Sequence, residues 1–291
     1  MADQPLKHQM GKHYVPQAYL RGFEIESSPG LIWMYDKRTQ SWTDAPIKRV
    51  AQSASYYSDD VEQQLNALVE IPGNRALHAL RGGTIPDPRT GGDLLTYIAV
   101  MMMRVPRKRT MARALVPSVI EHVLQQTRQD LESLRSNETD ARVTELLAEV
   151  DRTGLVYRKE GINVLQANIE DPWPSEQTLH GVHSMCWRLV FSPTDSPLIT
   201  CDSPAFYFSA WGIGSEESEL TFPISPRMSL VGNRVGNPGE VSSVRVGRPI
   251  AKEINKRIAV GAERFIFAPF PFSWVAKLAK RTERELSRIL W

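Results

Sequence analysis

The sequence is poor in cysteine and has no long apolar segment. Its 291 residues include two cysteines, Cys186 and Cys201. A disulfide framework requires more, so both thiols are expected to be free and the chain fits a reducing compartment. The longest near-apolar run, 94–103, is shorter than the about 20 residues that span a bilayer, and the N-terminus lacks an apolar signal core. These absences predict a cytoplasmic protein with no membrane partner.

Several catalytic signatures are also missing. The sequence contains no Walker-type phosphate loop, no dinucleotide-binding glycine fingerprint after a strand, no His-Glu-x-x-His and no Gly-x-Ser-x-Gly. His180, His183 and Cys186 are spaced three apart, which superficially resembles a set of zinc ligands. On a helix these side chains would diverge, on a strand the two histidines would face opposite sides, and a fourth ligand is missing. We therefore predict no zinc ligands here.

Charge is distributed unevenly, although hydrophobic and charged fractions of 42% and 23% are ordinary for a folded protein. The net charge of +2 divides into +4 over 1–120, −10 over 121–220 and +8 over 221–291. An acidic middle and a basic C-terminal region could each bind a protein partner. The alternative is that the two regions attract each other within one fold.

Periodicity divides the chain into a helical first half and a strand-rich second half. The expected elements are a β-hairpin at 31–43, helices at 61–68, 76–80, 94–105, 111–134 and 143–150, strands at 185–191, 198–201, 220–224 and 228–231, a helix at 250–262 and an amphipathic C-terminal helix at 273–290. Segregated helices and strands predict an α+β fold, with the helical first half packed on a mostly antiparallel sheet from the second half. We expect a flexible N-terminus, 1–12, and a single domain, 13–291.

Four local features could carry chemistry. Pro16 stiffens the segment around His13, whose imidazole can act as an acid, a base or a metal ligand; the alternative is that it only anchors the segment. Arg104 to Arg109, including Arg107, and the basic stripe of the C-terminal helix predict either phosphate-binding patches or solvated surfaces. Asp202 follows a strand and precedes a proline turn, a position that suits a catalytic acid or a turn former.

The segment His-Tyr-Val-Pro-Gln-Ala-Tyr-Leu-Arg-Gly-Phe at 13–23 resembles the opening of a bacterial family called domain of unknown function 4238. Later segments resemble further motifs of this family, in the same order. They are Glu62 and Glu70, Arg104-Val105-Pro106, the Ile-Thr-Cys-Asp-Ser-Pro of 199–204, the Pro-Ile-Ser-Pro of 223–226, Ile254-Asn255, and the Ala-Glu-Arg-Phe-Ile of 262–266. The resemblance implies one domain over 13–267, without a known activity. It favours as site residues His13, Gln17, Glu62, Arg104, Asp202, Asn255 and Arg264.

Two functions remain open from the sequence. The first is a nucleic-acid- or nucleotide-processing enzyme, such as a nuclease in a defence or toxin setting. His13, Glu62 and Asp202 would be catalytic, and a divalent metal ion is a candidate cofactor. Gln17, Arg104, Arg107, Asn255 and Arg264 would bind the substrate, the arginines by stabilising phosphate charge. The second is a non-catalytic regulatory module that binds nucleic acid or protein, in which the same polar residues form a buried network.

Overall fold

The computed structural model describes residues 11–53, 58–170, 172–238 and 241–289, with only the backbone for 112–113, 115–116 and 158–170. The chain divides into two compact units. The main unit comprises Met1–Arg107 and Pro172–Trp291, and the helical unit comprises Lys108–Asp171. Most of the predicted flexible N-terminus lies outside the described residues, and the single domain over 13–291 stays a prediction.

The observed elements confirm the predicted α+β class, with the helices mainly in the first half. The strands are β1 (Lys12–His13), β2 (Leu31–Asp36), β3 (Ser41–Pro46), β4 (Gln52–Ser53), β5 (Cys186–Phe191), β6 (Thr200–Cys201), β7 (Phe206–Tyr207), β8 (Leu220–Ser225), β9 (Met228–Asn233), β10 (Val241–Arg245) and β11 (Phe265–Ala268). The helices are α1 (Gln17–Leu20), α2 (Asp59–Leu65), α3 (Ile71–Arg81), α4 (Pro88–Met103), α5 (Pro106–Ser133), α6 (Asp140–Glu170), α7 (Glu176–His183), α8 (Arg248–Gly261) and α9 (Val275–Leu278). None of the described helices is both long and apolar enough to cross a membrane.

Two larger sheets form the β part of the main unit. The first has the order β10-β5-β9-β8-β7, and all its pairs are antiparallel except β10 with β5. Every residue of β8 is buried, including the polar Thr221 and Ser225. The second has the order β3-β2-β11-β6 and is antiparallel throughout. Its β2–β3 pair, in which Tyr35 lies opposite Trp42, is the predicted hairpin.

Of the three helices between residues 59 and 103, α2 and α4 begin with side-chain caps, and a π-helical turn separates α2 from α3. Ser58 caps α2 and Asp87 caps α4. The gap predicted between the helices at 61–68 and 76–80 is instead a π-helical turn, Asn66–Glu70, which continues directly into α3. Pro72 lies in the first turn of α3. Gly73 touches the ring of Tyr97, so a Cβ there would collide with it. This contact allows α3 and α4 to approach closely.

The N-terminal motif is held by hydrogen bonds to distant parts of the main unit. The hydroxyl of Tyr19 donates to the carbonyl of Pro223 at 2.6 Å and lies 2.7 Å from Thr200 Oγ1. Arg81 donates to the carbonyls of Ile224, Ala18 and Tyr19. The motifs around 13–23, 199–204 and 223–226 therefore meet at one buried node, in which hydrogen bonds satisfy the polar groups.

The C-terminal segment differs from the long amphipathic helix predicted over 273–290. It consists of α9, a 3₁₀ turn at Glu283–Glu285 and an extended tail. The tail amides bind buried carboxylates instead of helical carbonyls: Ser287 N donates to Glu253 at 2.8 Å, and Ile289 N donates to Glu219 at 2.9 Å. The two carboxylates replace the carbonyl acceptors of a helix. Sequence periodicity cannot reveal acceptors of this kind, because they are distant in the chain.

The carboxylate of Glu219 also forms a fully buried ion pair with Arg257 of α8. Arg257 Nη2 lies 2.7 Å from Glu219 Oε2 and donates to the Ser287 carbonyl at 2.6 Å, while Nη1 donates to Thr221 Oγ1 at 3.0 Å. Both side chains are 0% exposed. Burying a guanidinium is costly, and these partners compensate its charge and the N–H groups of both Nη atoms.

The helical unit consists of most of α5 and of α6. The Leu124 side chain packs against Gly154, and Arg128 donates to Asp151 at 3.1 Å. The break predicted between the helices at 94–105 and 111–134 is confirmed, since α4 ends at Met103 and α5 begins at Pro106.

Candidate functional site

Arg104 occupies the break between α4 and α5 and is buried between two partners. Its Nη1 forms an ion pair with Glu70 Oε1 at 2.6 Å, and its Nη2 donates to the backbone carbonyl of His13. The side chain is only 1% exposed. The guanidinium therefore holds β1 and Glu70 in place, so we propose a positioning role for Arg104 instead of the predicted contact with substrate.

His13 lies on β1, opposite Gln52 of β4, and its side chain is half-buried. Burial lowers the pKa of His13, and the charge of Arg104 lowers it further, while a hydrogen bond to the backbone of Lys48 and the charge of Glu70 oppose the shift. The lowered pKa makes the imidazole neutral at pH 7. Because a neutral ring that donates from one nitrogen accepts at the other, Nε2 is left as the basic nitrogen.

Glu62 of α2 and Tyr97 of α4 complete the group. Burial raises the pKa of Glu62, the charge of Glu70 adds to the shift, and the charge of Arg104 opposes it. Burial also raises the pKa of Tyr97, which is influenced by Glu70 and Arg104 as well. His13, Glu62, Glu70, Tyr97 and Arg104 thus share one electrostatic environment, and we call them the His13 cluster.

Several buried polar atoms in the His13 cluster lack a hydrogen-bond partner within the described part of the chain. They include His13 Nε2, Glu62 Oε2 and the Tyr97 hydroxyl. Leaving a buried polar group unpaired costs about 1–3 kcal/mol, and such groups are rare in folded proteins. These atoms are the candidate positions in the cluster for a hydrogen bond to water or to a polar molecule. The π-helical turn that ends at Glu70 agrees with this, since π turns frequently occur at functional sites.

The sequence pointed to part of the His13 cluster and missed the rest. His13, Glu62 and Arg104 were predicted site residues, and Glu70 was noted only as a residue that matches a motif of the family. Tyr97 carried no signal, because in the sequence it occupies one position in an apolar helix. Gln17 begins α1 and is half-buried, and its side chain forms no hydrogen bond with another described residue.

Asp202, a predicted catalytic residue, binds backbone amides. Its Oδ1 accepts from Glu263 N, and its Oδ2 accepts from Arg264 N and Phe265 N, each at 2.8 Å. The side chain is 1% exposed. Its carboxylate therefore joins the end of β6 to the start of β11, and we propose a structural role for it instead of a catalytic one.

Replacing Asp202 with asparagine is expected to lower the free energy of unfolding at pH 7.5 by about 2–4 kcal/mol, because the amide cannot accept from all three donors. Burial raises the pKa of Asp202 from 3.8 to about 6. Between these values the folded state holds a proton that the unfolded state has lost. The contribution of Asp202 to stability should therefore fall as pH rises from about 4 to about 6, and the difference between wild type and Asp202→Asn should change over this range.

Urea denaturation at several pH values measures both effects. Asp60→Asn, at an exposed carboxylate in the first turn of α2, is the matched control and should change little. Equal stability of Asp202→Asn and wild type at pH 7.5 would contradict the structural role.

The remaining predicted substrate-binding residues make structural contacts. Asn255 of α8 accepts from Ile199 N at 3.0 Å and donates to the Pro197 carbonyl at 2.9 Å. Arg107 donates to the Val260 carbonyl at 2.9 Å. Arg264 pairs with Asp36 at 2.7 Å, and its side chain is 42% exposed. These three residues connect parts of the main unit, so a substrate would have to compete with the contacts they already make.

The residues do not fit the divalent cation considered from the sequence. Across the described residues, no group of three or more His, Cys, Asp or Glu side chains is arranged to hold a metal ion. In the His13 cluster, Glu70 Oε1 already forms an ion pair with Arg104. His180, His183 and Cys186 likewise form no such group.

The fold and the site define an α+β protein with a buried polar cluster at its N-terminal motif. The chain belongs to the family described as protein of unknown function (DUF4238), whose model matches residues 12–269. The matched region contains the whole His13 cluster. No curated protein and no solved structure matches the chain.

Proposed function

We propose that the chain is a nucleic-acid-processing enzyme that cleaves RNA phosphodiesters by acid–base catalysis in the His13 cluster. One observation carries the proposal: an imidazole and a carboxyl group share one environment, and each has a buried atom without a partner. Burial drives both groups toward their neutral forms. A neutral imidazole can accept a proton, and a neutral carboxylic acid can donate one.

The proposed reaction uses the 2′-hydroxyl of RNA as its nucleophile. His13 Nε2 takes the 2′-hydroxyl proton while the 2′-oxygen forms a bond to phosphorus. The bond from phosphorus to the 5′-oxygen breaks, and Glu62 donates its proton to that leaving oxygen. The products are a 2′,3′-cyclic phosphate and a 5′-hydroxyl. Arg104 holds the His13 backbone and Glu70 in place during the reaction.

The pH dependence of cleavage tests the two roles. Activity requires neutral His13 and protonated Glu62, so kcat/KM should rise with pH through the lowered pKa of His13 and fall through the raised pKa of Glu62. The profile should be bell-shaped, with its optimum midway between the two pKa values. Glu62→Gln should lower the rate by about 10²–10⁴-fold and abolish the fall at higher pH.

Rates are measured on a fluorescent RNA oligonucleotide, with a DNA oligonucleotide of the same sequence as a substrate control. DNA should not be cleaved, because it lacks the 2′-hydroxyl. Glu176→Gln, at an exposed position in the first turn of α7, is the matched control and should retain the wild-type profile. Equal cleavage of RNA and DNA, or an unchanged profile in Glu62→Gln, would refute the mechanism.

The second candidate is a non-catalytic module that binds nucleic acid or protein. It is favoured by the structural contacts of Arg107, Asp202, Asn255 and Arg264, which leave few of the predicted residues for a substrate. RNA binding without cleavage across pH 4–8 would support this candidate instead. A cytoplasmic defence or toxin setting, and a protein partner at the acidic middle or the basic C-terminal region, are compatible with both.

A further inference from the structure

A separate cleft of about 630 Å³ lies at the start of α8, away from the residues of the His13 cluster. The loop before β6 forms one wall and the segment around α9 forms another. Asn255 stiffens the first wall by binding Pro197 and Ile199 through both ends of its amide. The cleft is therefore preformed, as small-molecule sites usually are.

Positive charge dominates the lining, which includes four basic residues and one acidic residue. Arg248 donates to Asp195 at 3.0 Å, and Arg281 pairs with Glu285 at 3.0 Å. Lys252 and Lys277 are exposed, and neither forms an ion pair with another described residue. Two ammonium groups thus remain available for an anion.

One side-chain group and one helix terminus also favour the binding of an anion in this cleft. The Arg281 Nε is buried and has no hydrogen-bond partner among the described residues. The first turn of α8 also lines the cleft, and its N-cap, Gly247, supplies no side-chain hydrogen bond. The positive end of a helix dipole favours phosphate groups.

The remaining lining is apolar and includes an aromatic ring. Pro197, Pro249 and Leu278 contribute apolar surface, and Trp274 stacks on Phe272 with ring centroids 5.1 Å apart. A free phosphate would leave most of this volume and surface unused. A ligand that carries both a phosphate and an aromatic body fits the charge and the walls together.

We propose that this cleft binds a mononucleotide, with its phosphate held by Lys252 and Lys277 and its base against the apolar wall. The site shares no residue with the His13 cluster, so the proposal goes beyond RNA cleavage and holds whether or not His13 is catalytic.

Calorimetric titration with adenosine monophosphate, adenosine and inorganic phosphate tests the site. Adenosine monophosphate should bind, and the two fragments should each bind at least about tenfold more weakly. Lys252→Gln with Lys277→Gln should weaken nucleotide binding at least about tenfold and leave RNA cleavage unchanged. Lys280→Gln with Arg284→Gln, at exposed positions outside the cleft, is the matched control and should bind like wild type.

A salt titration of wild type provides a test without mutation, since binding should weaken as ionic strength rises. The proposal is overturned if wild type fails to bind adenosine monophosphate at about 1 mM, or if phosphate alone binds as tightly. It is also overturned if the cleft variant binds like wild type, or if the control pair loses as much affinity. Thermal melting checks that both variants are folded.

Discussion

Replacing His13 with alanine is expected to lower kcat/KM for RNA by about 10²–10⁴-fold, the usual contribution of a general base. The reason is the unpartnered Nε2, which in the proposed reaction accepts the 2′-hydroxyl proton. The lowered pKa of His13 favours the unprotonated form of this nitrogen. The measurement is the initial cleavage rate of the fluorescent RNA at subsaturating concentration.

His13→Asn distinguishes catalysis from anchoring. An asparagine amide can still donate to the Lys48 backbone, so the motif stays in place while the basic nitrogen is lost. This variant should melt near the wild-type temperature and be as inactive as His13→Ala. His180→Ala, at an exposed histidine of α7, should keep full activity. Cleavage by His13→Asn at the wild-type rate would show that the histidine only anchors the segment.

Replacing Arg257 with alanine is expected to lower the free energy of unfolding by about 3–5 kcal/mol, the range measured when one partner of a buried ion pair is removed. The substitution leaves the Glu219 carboxylate buried without its main counter-charge. It also removes the donors to Thr221 and Ser287. Urea denaturation followed by circular dichroism measures the change.

Arg264→Ala is the matched control, since it removes an arginine from an ion pair that is substantially exposed. Water compensates an exposed charge, so this variant should lose much less stability than Arg257→Ala. Arg257→Lys should remain clearly destabilised, because one ammonium cannot reproduce the planar fork that reaches three acceptors. A similar loss of unfolding free energy in Arg257→Ala and Arg264→Ala would show that burial does not determine the cost of removing the arginine.

Local sequence signals predicted the α+β class and several of its elements. The hairpin of β2 and β3 and the helix boundary at Pro106 follow from alternation and from the steric effect of proline, which act within a few residues. The C-terminal segment was missed for the opposite reason. Its amides bind Glu219 and Glu253, which are remote in the chain, and a periodic pattern carries no information on such acceptors.

The distinction between local signals and contacts with distant residues also applies to the candidate site. Residue type and family order brought His13, Glu62 and Arg104 onto one short list. In the structure Arg104 donates to the His13 carbonyl, and its charge influences the pKa of Glu62. Asp202 and Asn255 entered the list on the same grounds. Their oxygens nevertheless bind backbone N–H groups, and neither residue type nor order distinguishes a catalytic carboxylate from one that bridges two strands.

The Tyr19 node has a consequence for synthesis on the ribosome. Tyr19 and its acceptor Pro223 are separated by 204 positions, and the helical unit is made in between. The opening motif therefore leaves the ribosome long before Thr200 and Pro223 exist, and the Tyr19 hydroxyl lacks these two partners during that time. A chain stalled before residue 223 should therefore expose the Tyr19 side of the motif to chaperones and proteases, even when the helices of the first half have formed.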